Sequence, residues 1–266
     1  MLDNPRSPRV RAVAKLAKKQ RRHEARLFLV EGPQATREAL SSRPELVEEI
    51  FLTAQAKEKN TDLVELAERA GCDVSLASDA VIEQIADTVT PQGVVSVARY
   101  LEVSLEDVIA GGPSHLVVLH QVKDPGNVGN VIRTADAAGV DAVIVTAESV
   151  DVFNPKVVRA TTGSLFHIPV VTGVELAPTL EGLRTNGIAI YAADAAGDSL
   201  AGLRARGGLV SPLAWLLGNE AHGLAPEDEA LADLIVSVPM FGRAESLSLQ
   251  TAAAICIYEA AFAKNS

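Results

Sequence analysis

Only two cysteines occur in this sequence, Cys72 and Cys256, far apart and without metal-ligand spacing around them. That argues against a disulfide-stapled scaffold, and two reduced, buried thiols fit a cytoplasmic protein. His120, His167 and His222 are scattered too, so no metal site is expected. No uncharged apolar stretch approaches the roughly 20 residues of a membrane span. The start, MLDNPRSPRV, is positive but has no apolar region after it, so no signal peptide is expected. Aromatics make up 4% of the chain, which leaves the core to Ala, Val, Leu and Ile and argues against any function that depends on extensive stacking on aromatic side chains. The pattern G-x-x-x-x-G-K-[ST] is missing, which removes a P-loop hydrolase, and no G-x-G-x-x-G follows the first strand. GGPS lacks the G-x-S-x-G context of a hydrolase nucleophile.

What is present is an ordinary globular composition, 48% apolar and 22% charged, in 266 residues. That length allows one large domain or two smaller ones. The net charge of −10 argues against a nucleic-acid partner until its distribution is considered. Residues 1–26 hold nine Lys or Arg against Asp3 and Glu24, a local +7, which leaves −17 on the remainder. A basic arm on an acidic body is a footprint of phosphate-backbone contact. A solvated, partly frayed helix kept in solution by its charge is the alternative. Val10, Val13, Leu16 and Ala17 fall at helical spacing, so one face can dock while the basic face stays in water.

Two halves follow. In residues 27–100, LFLVEG, EEIFLT, DVSLAS and GVVSVARY read as strands, and PQATREAL, TDLVELAERAG and SDAVIEQIAD as helices. LEVSLEDVIAGGPS reads as a connector, with Gly111, Gly112 and Pro113 near its end. Further on, strands are expected at 115–122, 141–147, 166–171, 188–194, 213–219 and 233–240. Helices are expected at 127–138, 154–162, 175–185, 226–232 and 246–263. Runs without polar alternation between helices predict an α/β fold, a parallel sheet flanked by helices on both faces. Such sheets bind ligands beyond the carboxyl ends of their strands. The expected division is residues 1–104, a linker at 105–114, and a second domain at 115–266.

Three polar loops stand at strand ends of the second half. The first, KDPGNVGNVIRTADAAGV, offers Asn127 as a helix cap and places Asn130 and Arg133 on one helical face. Small apolar neighbours around Arg133 require it to reach a rim or an anion. The second, WLLGNEAHGL, runs a strand into Gly218, Asn219 and Glu220, with Gly223 beyond. Glycine there admits a ligand close to the backbone, and the carboxylate needs donors or a positive group. The third, VPMFGRAESLSL, places serines before a nearly uncharged helix, where they can cap it. Plain turns with solvated charges would explain each loop taken alone.

NVGNVIRTA, LGNEAHGL and VPMFGRAESL in this order resemble the three motifs of the SpoU/TrmH family of RNA ribose 2′-O-methyltransferases, of the knotted SPOUT class. The resemblance covers residues 113–266. The first half, with LFLVEGPQATREAL, resembles the ribosomal-protein-like substrate-binding domain of rRNA-modifying members. It implies a C-terminal trefoil knot, a homodimer, S-adenosyl-L-methionine as cofactor and RNA as partner, with 23S rRNA the expected substrate and neither membrane nor metal required. By position it implies cofactor contacts at Ala193, Gly218, Asn219, Val238, Met240 and Leu247. The same positions imply catalytic roles for Arg133, Asn127, Glu220 and Ser246. Arg159 matches an arginine near the substrate phosphates, and Arg21, Arg22 and Arg26 of the basic arm are expected to contact RNA. A dimer would also cover the uncharged helix 248–263, for which burial in a monomer core is the competing explanation. Ser248 stands where the family often has asparagine. That departure leaves open a catalytically weak knotted RNA-binding protein; a tRNA-modifying enzyme is the other alternative.

Overall fold

β-Branched runs alternating with short capped helices fold here into two sheets, one in each of two compact units. The computed structural model describes residues 1–101, 103–209 and 212–265. The first unit comprises Met1–Leu101 with Asp151–His167, and the second comprises Glu102–Val150 with Ile168–Ser266.

In the first unit, β1 (Leu27–Glu31), β2 (Val47–Leu52), β3 (Asp73–Leu76) and β4 (Val94–Arg99) form a sheet ordered β1-β4-β2-β3. β4 is antiparallel to both β1 and β2, and β3 is parallel to β2. The basic arm forms helices Pro8–Ala14 and Lys19–Ala25 joined by a 3-10 turn. Ser7 caps the first, and Val10 and Leu16 are buried against Leu29, Phe51, Val81 and Ile85. Full burial of such side chains contributes roughly 1.5–3 kcal/mol each, so the apolar face does dock and the arm is a folded part of the unit.

The second unit is one parallel sheet of β5 (His115–Leu119), β6 (Ala142–Thr146), β7 (Val170–Val174), β8 (Ala189–Ser199), β9 (Leu213–Leu217) and β10 (Leu234–Ser237). Its order is β10-β8-β9-β5-β6-β7, with every neighbouring pair parallel. β5, β6 and β9 are buried along their whole length, as strands covered on both faces must be. The expected parallel α/β architecture is present.

Three local expectations are corrected. The connector contains a helix, Leu105–Ala110, capped by Ser104, whose Val108 joins the second unit's core. The strand expected at 166–171 begins only at Val170, because Ser164–Phe166 form a 3-10 turn. The third concerns the division at residue 115, since Asp151–His167 packs with the first unit. Phe153 of this segment lies 3.8 Å from Tyr100 and 4.9 Å from Phe28 between ring centroids, and Phe166 stacks on Phe28 at 6.1 Å. A chain with so few aromatics has gathered four in one cluster, where each ring buries more apolar area than an aliphatic side chain.

Candidate active site

The second unit has one switch point. From β5 the chain moves outward to β6 and β7, whereas from β9 it leaves in the other direction toward β10. β5 and β9 are neighbours, so the loops after them open a crevice between carboxyl ends, where doubly wound sheets bind ligands. The loops are joined by Glu220. Its carboxylate accepts hydrogen bonds from the N–H of Asp124 (2.9 Å), the N–H of Lys123 (3.2 Å) and Nδ2 of Asn127 (3.2 Å). Burial alone would raise the Glu220 pKa, but the Asp124 N–H, the Asn127 amide and the Lys123 N–H hold it below the ordinary value. Asp124, not Asn127, caps helix Pro125–Ala137: its Oδ1 accepts from the Asn127 N–H at 2.9 Å. A cap carboxylate also suits the positive end of the helix, and this arrangement frees the Asn127 amide for Glu220.

The loop after β9 is closed on itself. Asn219 and Gly223 exchange two backbone hydrogen bonds of 2.9 Å. The Asn219 side chain donates to the Gln121 carbonyl (2.9 Å) and accepts from the Ala221 N–H (2.8 Å), so its amide braces the loop. Gly218 makes this closure possible, because a Cβ there would lie 2.5 Å from the Gly223 carbonyl carbon.

A cavity of about 360 Å3 opens at this place. Ala193, Gly218, Asn219, Val238, Met240 and Leu247 line it, so all six expected cofactor residues converge although they come from three separated stretches. Glu220 and Ser246 line it as well. Asp194, His222 and Glu245 also line it and were given no role from the sequence; Asp194 lies within β8 but ends the strand expected at 188–194, and a search for polar residues at expected strand ends would have found it. The lining includes three carboxylates, Asp194, Glu220 and Glu245, and no Lys or Arg. Such a rim with an apolar wall suits a flat heterocycle attached to a cationic centre and disfavours a polyphosphate.

Arg133 and Ser246 are placed differently from each other. Arg133 lies on helix Pro125–Ala137, six residues after Asn127. It is exposed and makes no hydrogen bond or ion pair among the described residues. It is outside the cavity lining, on the helix that Glu220 anchors. Ser246 lines the cavity and makes no hydrogen bond among the described residues. The cap of the last helix, Leu249–Lys264, is Ser248, whose Oγ accepts from the Thr251 N–H at 3.4 Å. In the first turn of that helix, Gln250 accepts from Asn130 Nδ2 at 2.5 Å, tying the first loop's helix to the third loop's helix. The uncharged face of the last helix is accounted for in part within the chain, since Ala253, Cys256, Ile257, Ala260 and Ala261 are buried.

The expected RNA contacts in the first unit are partly overturned. Arg22 is 1% exposed, donates to Asp151 from Nη2 (2.5 Å) and Nε (3.1 Å), and holds the carbonyls of Leu16 and Ala17. It is a buried structural pair, which cannot reach a phosphate. Arg159 donates to Glu31 and Asp87, each at 3.0 Å, so two carboxylates already compensate its charge. Arg21 pairs with Glu24 at the surface, and the Arg26 guanidinium lies 4.6 Å over the Tyr100 ring. Arg11, Lys15, Lys18 and Lys19 are exposed and carry no hydrogen bond or ion pair from their side chains among the described residues. These four were not singled out from the sequence, where buried and free arginines look alike.

The model of the SpoU rRNA Methylase family matches residues 114–258, more than half of the chain and all three loops. The chain belongs to that family. An MRM3-like substrate binding domain matches residues 7–96. Among the relatives of this SpoU methylase is a 23S rRNA (guanosine-2′-O-)-methyltransferase RlmB of Bordetella pertussis, 35% identical over 83% of this chain and 91% of that protein. Another is the 23S rRNA (guanosine(2553)-2′-O)-methyltransferase RlmP of Bacillus subtilis, 32% identical over 97% of both. Among solved structures, the SpoU methyltransferase AviRb of Streptomyces viridochromogenes in complex with AdoMet is similar with a TM-score of 0.84 and 28% identity, covering 98% of this chain and 99% of that one. An AdoMet-bound rRNA methyltransferase of Sinorhizobium meliloti gives 0.81 and 29%, over 97% and 96%.

Proposed function

We propose that this protein transfers the methyl group of S-adenosyl-L-methionine to a ribose 2′-hydroxyl of 23S rRNA. The observation that carries the reading is the cavity at the β5–β9 switch point, with its carboxylate rim, apolar wall and tight Gly218–Gly223 contact, beside a helix bearing an unpartnered arginine. The cofactor fits this donor set. Val238, Met240, Leu247 and Ala193 offer a dry slot for adenine, Gly218 brings backbone within reach, and Asp194 and Glu245 complement positive charge. When bound, the cofactor supplies an electrophilic methyl on a sulfonium.

The protein's part is alignment and charge stabilisation. The 2′-oxygen must attack in line as its proton leaves. Arg133 holds the neighbouring phosphate and polarises the hydroxyl; a guanidinium, charged at any ordinary pH, suits that task better than proton abstraction. Asn127 and Glu220 act as positioning residues, fixing the start of the Arg133 helix against the loop after β9. Ser246, in the cavity lining, supplies an uncommitted hydroxyl there. In the first unit, the exposed Arg11, Lys15, Lys18 and Lys19 supply the sequence-independent grip on the RNA backbone. The catalytically weak alternative loses its motive, because Ser248 keeps the capping role open to an asparagine.

Two finer features belong to the same reading. The chain after β10 returns across the sheet's carboxyl edge to seat its last helix on helix Pro125–Ala137, a course that supports a trefoil knot. A groove lined by Leu200, Val238, Pro239, Met240, Phe241 and Ile255, with Phe241 95% exposed, supports a homodimer. The protein works in the cytoplasm, where its substrate is made; no helix among the described residues is long and apolar enough to cross a membrane. No cluster of potential metal ligands occurs among the described residues either. Incubation with methyl-labelled cofactor and rRNA tests the reading: label should be recovered as a 2′-O-methylnucleoside. Label in tRNA alone, or in a base, refutes it.

A further inference from the structure

A second cavity, of about 290 Å3, lies within the first unit and shares no lining residue with the first. Its floor is built by Glu31, the last residue of β1. The Glu31 carboxylate is saturated: it accepts from the N–H of Asp87 (2.9 Å), the N–H and hydroxyl of Thr88 (3.2 and 3.0 Å) and Nη1 of Arg159 (3.0 Å). This clamps the loop 87–93 beside the end of β1. Gly32, at φ +94°, lets the Gln92 side chain lie close, since a Cβ there would sit 3.3 Å from its Oε1.

Three observations define what the cavity can take. The first is charge. Arg159 lines it but is matched by both Glu31 and Asp87, so the local sum is negative and a phosphate is repelled. The second is the supply of uncommitted neutral polar groups. Gln92 and Thr90 line the opening, are exposed and make no side-chain hydrogen bond among the described residues. An amide offers a donor and an acceptor in one plane, the pattern that a base edge presents. Pro91 and Ala35 give apolar surface in the lining, and Val89 of the same loop is 98% exposed. The third is strain. Thr162, also in the lining, has φ +54°, a conformation β-branched residues rarely adopt and one that tends to mark functional positions. Arg159 and Thr162 are i and i+3 on the same turn of chain, so the Arg159 clamp also fixes Thr162 at the rim.

We infer that this cavity receives one unpaired nucleobase of the RNA substrate, read along its edge by Gln92 and Thr90. Proteins that recognise RNA by sequence target bases splayed out of loops and bulges, and a neutral, amide-bearing pocket in a unit whose exposed lysines hold the backbone divides the work between position and identity. The inference rests on the RNA-methylation reading for its ligand.

The test is filter binding of deproteinised 23S rRNA to the full chain, with methyl transfer measured alongside. Gln92→Ala should weaken rRNA binding about 3- to 10-fold, the worth of one net hydrogen bond. Its affinity for S-adenosylmethionine should stay as in the parent. Gln92→Lys should weaken binding as well, because an ammonium cannot present an acceptor to a base. Thr162→Gly removes the backbone strain; it should melt no earlier than the parent and still bind rRNA less well. Tighter binding by Gln92→Lys would identify a phosphate site and overturn the inference. Parent-like binding by all three variants overturns it as well, and if methyl transfer to rRNA then persists, the functional reading stands. A parent that binds no rRNA removes both together.

Discussion

Replacing Gly218 by alanine gives the most direct check on how the cofactor cavity is built. The new Cβ would stand 2.5 Å from the Gly223 carbonyl carbon, 2.6 Å from its oxygen and 2.7 Å from the Leu224 nitrogen. Relaxed carbon contacts need about 3.5 Å, so the two backbone segments must part by roughly 1 Å. Parting them breaks the two Asn219–Gly223 hydrogen bonds, each 2.9 Å long at present. Those bonds are worth about 1 kcal/mol apiece, and overpacking adds about 1–3 kcal/mol. A total of about 3–5 kcal/mol, falling on the binding-competent loop, corresponds to a loss of affinity of at least about 100-fold. Titration calorimetry with S-adenosylmethionine reads that loss, and thermal denaturation shows how much of it becomes global instability. Gly242→Ala is the control, since nothing lies within 4 Å of a Cβ there. Parent-like affinity together with a parent-like melting temperature in Gly218→Ala would refute the close-contact argument.

Arg133→Ala should lower kcat/KM for rRNA by about 10²- to 10³-fold, as loss of a charge-stabilising donor does, with cofactor affinity intact because Arg133 is not in the cavity lining; unchanged turnover removes it from the mechanism. Ser248→Ala should cost about 1 kcal/mol through the lost cap and Ser248→Asn should be close to neutral. That corresponds to a fall of about 2–4 °C in melting temperature for the first alone, and equal losses in both would contradict the capping role. His115, at the start of β5, is buried and its pKa is pushed down to about 4, first by burial and then by Lys264. The unfolded imidazole, with a pKa near 6.5, therefore binds its proton first as pH falls, so stability should drop by roughly 3 kcal/mol between about pH 6.5 and 4. His115→Leu should flatten that part of a denaturant-stability profile; identical slopes would place the acid sensitivity elsewhere. Light scattering should return a dimer's mass for the parent and a monomer's mass for Phe241→Asp, and equal masses for the two would move the interface away from the groove.

Much of the site was legible because its residues lie in three short stretches. A glycine closing a strand, a carboxylate just after it and an arginine on a helix of small residues each admit a plain-turn explanation alone, and only the three stretches in their order point to a site. Where the reading slipped, near neighbours competed for one role. Asp124 took the cap expected of Asn127, because a carboxylate at that position also meets the helix dipole. Among the serines of the third loop, Ser248 is the one that caps, because the helix expected from 246 begins at Leu249.

By itself the sequence determined the parallel α/β architecture and the three polar loops at strand ends, since covered strands, helix spacing and turn chemistry are written locally; that the loops belong together came from the order of their motifs. Only the tertiary structure decided that Asp151–His167 packs with the first unit, that Arg22 is a buried structural pair, and that Arg159 is neutralised at the edge of a second cavity. The reason is physical. An ion pair between residues 129 positions apart, or four aromatic rings meeting from distant segments, has no period and no neighbouring signal. It exists only once desolvation in the folded chain makes each charge and each ring find its partner.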